Sequence, residues 1–137
     1  MANPAYENYL RDEVLNADPI KLVIIMYRAA MEAVGMARKH LAGGSIHQRS
    51  RQIIKAFEIL GELRSSLNHE AGGEISGRLG GLYVYMQRLL LEANCKQMDP
   101  PLAEVEKLLA TLLEGWYKIK TETPEGSEQY VPLNCAC

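Results

Sequence analysis

The side chains that most often carry enzyme chemistry are few in this sequence. Three histidines, His40, His47 and His69, each lie near a predicted helix end. None has a second metal-ligating residue four positions away on the same helix face, which is the spacing that a metal site on a helix requires. The Glu-x-x-His pairs of di-iron bundles are also missing from the sequence. We therefore predict that the protein holds no metal and no cofactor.

The carboxylates suggest surface ion pairs rather than catalysis. Glu58 and Glu62 share a predicted helix face with Lys55, and Glu104 precedes Lys107 by one turn, so both sets are predicted to be solvated. A general acid needs a desolvated carboxyl group in a cleft. No glycine-rich phosphate-binding loop follows a strand. The sequence predicts a protein that is not an enzyme.

The cysteines leave several interpretations open. Their number is three, which is odd and makes no disulfide framework, so a reducing cytosol is the expected location. Cys95 is predicted to behave as a small apolar residue near a helix end. Cys135 and Cys137 fit a soft-metal site, a strained disulfide, a lipid attachment point or a plain exposed tail. The plain tail is the simplest of these.

Length and composition favour one globular domain with its own core. The chain has 137 residues, of which 47% are apolar and 23% charged, with a formal net charge of -2. The basic residues are scattered, so no face suits nucleic acid. No apolar run reaches the length of a membrane span, and no signal peptide is visible, so we predict no membrane insertion.

Helical periodicity covers most of the chain. Asp18-Pro19 and Asp99-Pro100 are typical helix starts, and Ser45 with Gln48 fits a capping box. Short connections between helices favour antiparallel neighbours. The prediction is an all-α, antiparallel up-down four-helix bundle with an N-terminal arm (1–17) and an irregular C-terminal tail. The predicted helices span 19–41, 45–68, 74–95 and 100–121; the bundle domain with its arm is 1–121, and the extended tail is 122–137.

The first predicted helix has an unusually wide apolar face. One stripe includes Ile20, Val23 and Tyr27, and a second lies beside it. A helix at the corner of a bundle usually buries one broad stripe, so the second must be covered by the arm or by a partner. The second stripe consists of Leu22, Met26, Ala29, Ala33 and Met36.

Tyrosine is the dominant aromatic residue. There are seven tyrosines against one Phe and one Trp. Tyr27, Tyr83 and Tyr85 lie on predicted helices, and Tyr6 and Tyr9 lie on the arm. A tyrosine ring suits a surface that a partner covers, but it also suits the end of a core, and composition alone does not separate the two.

Four blocks of residues, in order along the chain, resemble the flagellar export chaperones of the FliS type. The sequence departs from the family pattern at Asn68, where an acidic residue is usual, and at Arg28-Ala29. The matching residues are Tyr9, Ala17-Asp18-Pro19, Lys21-Leu22-Val23 and Met26-Tyr27; Glu62-Leu63, Ser66-Leu67-Asn68, Glu70 and Gly72-Gly73-Glu74-Ile75; Leu79, Leu82-Tyr83, Tyr85-Met86, Leu90 and Ala93-Asn94; and Val105, Leu108-Leu109 and Trp116.

The resemblance implies a cytoplasmic chaperone that binds the disordered C-terminal segment of flagellin in a 1:1 complex. Such a protein prevents premature polymerisation, supports delivery to the flagellar type III secretion apparatus and contacts components of that machinery. A helical adaptor for a different protein's amphipathic segment is the alternative. We expect Tyr6, Tyr9 and Leu10 of the arm to act as a lid over the groove. The expected flagellin-binding residues are Leu22, Met26, Tyr27, Leu82, Tyr83, Met86 and Leu90.

Overall fold

The computed structural model of the protein describes Ala5 and residues 18–122. Residues 18–122 form four helices, and no strand occurs among the described residues. Tyr6, Tyr9 and Leu10 of the predicted lid, and the predicted tail from residue 123 onward, lie outside the described residues. The helices are α1 (Pro19–Ala42), α2 (Ile46–Ser65), α3 (His69–Lys96) and α4 (Pro100–Glu122).

Both ends of α1 are formed as the sequence predicts. The Asp18 side chain accepts a hydrogen bond from the backbone N–H of Lys21 at 2.7 Å, which satisfies one of the free donors of the first turn. Pro19 occupies the first helical position, where no backbone donor is needed. At the other end, the N–H of Gly43 donates to the carbonyl of Lys39 at 3.0 Å. Helix α1 therefore begins and ends on local signals.

The boundary between α2 and α3 differs from the prediction. Helix α2 ends at Ser65 rather than near residue 68, and the Ser45 side chain makes no capping hydrogen bond, so the predicted capping box does not form. Asn68 instead caps α3, since its Oδ1 accepts from the N–H groups of Glu70 and Ala71 at 3.1 and 3.2 Å. An Asn side chain thus performs the capping that an acidic residue would perform there.

A kink divides α3 near its start. Gly73 has φ 54° and ψ -127°, a conformation that is open to glycine and not to residues with a side chain. The turn before it is tied to the main helix, because His69 Nδ1 and Ser76 Oγ are hydrogen-bonded at 3.0 Å. The predicted start near Glu74 is therefore the point where the helix resumes after the kink.

Ion pairs fix the start of α4 against α1. Arg38 donates through Nε and Nη2 to the two carboxylate oxygens of Asp99, at 2.8 and 2.9 Å, and through Nη1 to Glu106. The two-point geometry holds the guanidinium plane in one orientation. All three side chains are partly exposed, so these ion pairs add little to the free energy of unfolding. Their main effect is to position the start of α4 against α1.

The helices are arranged at the corners of a square. Helix α1 packs against α2 and α4, and α3 packs against the same two, so α1 and α3 lie diagonally opposite. Short connections make neighbours antiparallel. The predicted all-α up-down four-helix bundle is confirmed. The buried core consists of Ile20, Val23, Ile24, Tyr27, Ala30, Ala33, Val34, Ala37, Ile53, Ala56, Leu60, Leu63, Tyr83, Met86, Leu89, Leu90, Ala93, Leu102, Val105, Leu109 and Trp116.

The predicted core positions of α3 are partly wrong. The spacing of apolar residues along this helix predicts that Ile75 and Leu82 face the core. Ile75 is instead 65% exposed and Leu82 is only half-buried, whereas Ser76 and Tyr83 are buried. The inward face of the first half of α3 thus lies one residue later than predicted. On α4, Leu109 is fully buried, while Leu112 is half-buried.

These burials predict unequal costs for two leucine substitutions on α4. Leu109→Ala should lower the free energy of unfolding by about 2–5 kcal/mol, because it opens a cavity in a closed core. Leu112→Ala removes the same atoms from a half-buried site, so it serves as the matched control and should cost less. Urea denaturation measures both. Equal losses would contradict the observed orientation of α4.

Candidate protein-binding groove

Three aromatic rings meet at the centre of the bundle. Tyr27 of α1 and Tyr83 of α3 are 0% and 1% exposed, and their hydroxyl oxygens are hydrogen-bonded at 2.7 Å. The two rings meet edge to face with centroids 6.3 Å apart, and Trp116 of α4 lies at the same distance from Tyr27. This contact connects the two diagonally opposite helices. The site that the sequence highlights is therefore closed to solvent.

The electrostatics of this centre favour neutral side chains. Burial raises the pKa of the Tyr27 hydroxyl, while hydrogen bonds with Tyr83 and Trp116 partly offset that rise. The Tyr27 phenol therefore keeps its proton at physiological pH and holds its hydrogen bond inside the core. Nothing in this arrangement activates a nucleophile or a base.

The open surface lies around α2. A groove there has an apolar floor contributed by Met26 of α1 with Phe57 and Ile59 of α2, and Gln87 of α3 lines its far side. Charged side chains of the outer face of α2 form its rim. An apolar floor with a charged rim suits an amphipathic segment of another protein. The remaining lining residues are Lys55, Glu58, Gly61, Glu62 and Ser65.

Exposed apolar residues extend this groove by one helical turn. Ile54 lies three residues before Phe57 on α2, and Leu91 lies four residues after Gln87 on α3, so each shares a helix face with a groove residue. Ile54 is 51% exposed and Leu91 is 53% exposed. Apolar side chains this exposed on a contiguous surface are typical of interaction sites.

The structure divides the seven predicted binding residues into two groups. Tyr27, Tyr83, Met86 and Leu90 are at most 1% exposed and belong to the core. Leu22, Met26 and Leu82 are half-buried and keep part of their surface open. Of the seven, Met26 lines the groove around α2.

Sequence reasoning missed the contributions of α2 and Gln87 to this surface. Phe57 and Ile59 could have indicated this surface, because the only phenylalanine of the chain and a nearby isoleucine flank Glu58. Gln87 was a second signal, since it interrupts the apolar pattern of α3 between Met86 and Leu89. Neither pattern identifies a surface unless the packing of the neighbouring helices is known.

Polar side chains elsewhere do not assemble a reactive site. Among the described residues, no group of three or more His, Cys, Asp and Glu side chains is placed to hold a metal ion. Glu104 was expected to pair with Lys107, but it accepts a hydrogen bond from the Tyr85 hydroxyl. Cys95 was expected to act as a small apolar residue, but it is exposed.

In the described part of the chain, no helix is long and apolar enough to cross a membrane.

Comparison with known proteins decides the family. The family model described as flagellar protein FliS matches residues 1–123 of the chain. The chain belongs to the FliS family. The flagellar secretion chaperone FliS of Salmonella typhimurium is 35% identical to it over 117 residues, which cover 85% of this chain and 84% of that protein.

Two further relatives of the FliS family carry the same description. Flagellar secretion chaperone FliSB of Pseudomonas aeruginosa is 36% identical over 104 residues, covering 76% of this chain and 82% of that protein. FliS of Bacillus subtilis is 31% identical over 114 residues, covering 83% and 84% respectively. The predicted resemblance is confirmed, and the relatives are named as chaperones, which agrees with the prediction of a non-enzymatic protein.

The buried tyrosine pair predicts a pH-dependent effect of one substitution. Near neutral pH, Tyr27→Phe should lower the free energy of unfolding by about 1 kcal/mol, because the hydrogen bond with Tyr83 is lost. Above about pH 10, Tyr27 ionises in the unfolded chain but keeps its proton in the folded one. The folded state then binds more protons, so wild-type stability falls as the pH rises.

The phenylalanine of the Tyr27→Phe variant does not titrate, so the difference between the two proteins should shrink as the pH rises above about 10. Urea denaturation at several pH values measures that difference. A difference that grows with pH would contradict the burial of a neutral Tyr27.

Proposed function

We propose that this chain is a cytosolic export chaperone that binds the disordered C-terminal segment of flagellin in a 1:1 complex. In this role it prevents premature polymerisation and delivers flagellin to the flagellar type III secretion apparatus, whose components it contacts. The observation that carries the proposal is the apolar groove with a charged rim around α2, in a chain of the FliS family.

The chemistry of the groove suits a disordered, amphipathic partner. Such a segment loses conformational entropy when it binds, so it needs apolar surface to bury in return. Met26, Phe57 and Ile59 offer that surface, and Lys55 with Glu58 at the rim can pair with charges beside it. A partner held along its length in this way is kept from pairing with copies of itself.

Burial separates the predicted binding residues into two roles. We propose that the partly open Leu22, Met26 and Leu82 contact flagellin directly. Met26 does so inside the groove, and Leu22 and Leu82 do so on surface outside the groove lining. The closed residues Tyr27, Tyr83, Met86 and Leu90 act on binding indirectly, because they fix the helices that form the groove. A substitution in the second group therefore changes stability before it changes contact with flagellin.

Two exposed isoleucines provide a matched test of the groove. Ile54→Glu places a charge on the groove extension and should weaken flagellin binding at least about ten-fold, because the charge must be desolvated when an apolar segment docks. Ile75→Glu makes the same change at another exposed site and should leave binding unchanged. Calorimetry with full-length flagellin measures both affinities, and light scattering measures the 1:1 stoichiometry.

Flagellin that lacks its C-terminal segment should not bind the wild-type chain. Equal binding of truncated and intact flagellin would contradict the proposal. Equal affinities of the two isoleucine variants would contradict the location of the groove. A complex with a different protein's amphipathic segment, in the absence of one with flagellin, would favour the adaptor alternative.

The N-terminal arm is proposed to compete with flagellin for apolar surface on α1. Tyr6, Tyr9 and Leu10 precede Asp18 by at most twelve positions in the sequence, so their effective concentration beside α1 should be roughly in the millimolar range expected for a short linker. Removal of residues 1–15 should therefore raise flagellin affinity or quicken association. Calorimetry and stopped-flow mixing of full-length and truncated chains measure this. Weaker binding after truncation would show that the arm belongs to the flagellin site.

A further inference from the structure

Gln87 is a buried amide whose hydrogen-bonding capacity is only partly used. Its side chain is 9% exposed, and its Nε2 donates to the backbone carbonyl of Phe57 at 3.1 Å. That carbonyl is an acceptor only, so the Nε2 end of the amide must face it. The Oε1 end accepts no hydrogen bond from any described residue. Gln87 is one of the residues that line the groove around α2.

Gly61 leaves space beside this amide. It lies in the interior of α2, where glycine is unfavourable for a helix compared with alanine. A Cβ atom at this position would lie 3.4 Å from Gln87 Nε2 and would contact no other side chain closely. The absence of that methyl group leaves room beside Nε2, whose second N–H donates to no described residue. The two residues thus form a polar notch, defined here as Gly61 and Gln87, in an otherwise apolar floor.

An amide with an unused donor and an unused acceptor in such a place restricts what can dock over it. In the free protein, water in the open groove can hydrogen-bond to the amide beside Gly61. An apolar side chain placed there would displace that water and leave the second N–H of Nε2 without a partner. A loss of this kind weakens binding about ten-fold to a hundred-fold. A group that forms a hydrogen bond with the amide avoids the loss.

We infer that the polar notch selects one uncharged hydrogen-bonding side chain in the bound segment, a Ser, Thr, Asn or Gln, whose oxygen accepts from Gln87 Nε2. This inference rests on the proposed function, in which the occupant of the groove is the C-terminal segment of flagellin. The apolar floor binds many amphipathic sequences, because apolar contacts are not directional. The notch accepts one position of the segment, so it fixes the register in which flagellin lies along α2. A cationic side chain offers Nε2 no acceptor, and a carboxylate is repelled by Glu58 and Glu62 at the rim.

Two variants of the full chain separate this role from a structural one. Gln87→Met keeps the length of the side chain and removes its polar atoms. The Phe57 carbonyl still accepts the helical hydrogen bond from Gly61, so it is not left unpaired. Gly61→Ala fills the notch, yet it should raise the melting temperature by about 3–5 °C because alanine favours the helix. Binding and stability should therefore change in opposite directions in Gly61→Ala.

A matched glycine provides the control for Gly61→Ala. Gly115 also lies inside a helix, and a Cβ there would meet nothing within 4 Å. Gly115→Ala should raise the melting temperature by a similar amount without any change in flagellin affinity. The comparison separates the filling of the notch from the general effect of stiffening a helix.

The deciding experiment is a double-mutant cycle measured by calorimetry. Wild-type and Gln87→Met chains are titrated with the C-terminal segment of flagellin and with variants in which each Ser, Thr, Asn and Gln is changed to Ala in turn. We expect one position at which Ala weakens binding to the wild type about ten-fold but leaves binding to Gln87→Met unchanged. We also expect Gly61→Ala to weaken binding of the unaltered segment about ten-fold.

If no single position of the segment loses its effect in Gln87→Met, the inference is wrong, whatever the affinity of that variant. Unchanged affinity of Gly61→Ala would also overturn it. If the wild-type chain fails to bind the segment at all, both the proposed function and the inference are wrong. If the segment binds but none of its positions is coupled to Gln87, only the inference is wrong, so the two failures are distinguishable.

Discussion

The hydrogen bond between the Tyr27 and Tyr83 hydroxyls is the contact on which the arrangement of the bundle depends. It joins α1 to α3 across the diagonal of the bundle at 2.7 Å, with both rings closed to solvent. Rotation of either helix about its own axis would break this hydrogen bond between buried hydroxyls. The break would cost free energy, so the rotation is disfavoured. The pair therefore specifies one rotation for each helix, and Trp116 of α4 packs against it.

That rotation determines what the protein exposes. Met26 precedes Tyr27 and Gln87 comes four residues after Tyr83, so the directions of both follow from the tyrosine contact. Helices α1 and α2 pack against each other, and both carry small buried residues, among them Ala33 of α1 and Ala56 of α2. Phe57 is left at the margin of the core, where it forms part of the groove. A closed core and an open groove are thus two results of the same packing.

Much of the fold could be predicted from local signals, whereas the surface could not. Asp18 and Gly43 mark the ends of α1 by chemistry that depends only on nearby residues. The Gly72-Gly73 pair was less informative, because it fits both a loop and a kinked helix. The kink is selected by backbone hydrogen bonds that Asn68 Oδ1 accepts and by the hydrogen bond between His69 and Ser76. These contacts involve residues on both sides of the glycines.

The face of α3 shows the limit of periodicity more clearly. Leu82 and Tyr83 are both apolar enough for a core, and helical spacing alone favours the leucine. The tyrosine is buried because its hydroxyl finds that of Tyr27, 56 residues earlier in the chain. The groove depends on such long-range contacts too, since Met26, Phe57 and Gln87 come from three different helices. The residues that identify the family therefore do not by themselves show which surface this chain exposes.

The proposed occupation of the groove around α2 by flagellin leaves the aromatic centre closed, and the two places can be labelled separately. The chain has one phenylalanine, Phe57 in the groove, and one tryptophan, Trp116 in the core, so fluorinated analogues of the two amino acids report on each. Fluorine NMR of the doubly labelled protein, titrated with the C-terminal segment of flagellin, compares them in one sample. We expect the Phe57 signal to shift while the Trp116 signal does not. A shift of the Trp116 signal with an unchanged Phe57 signal would show that flagellin does not occupy this groove.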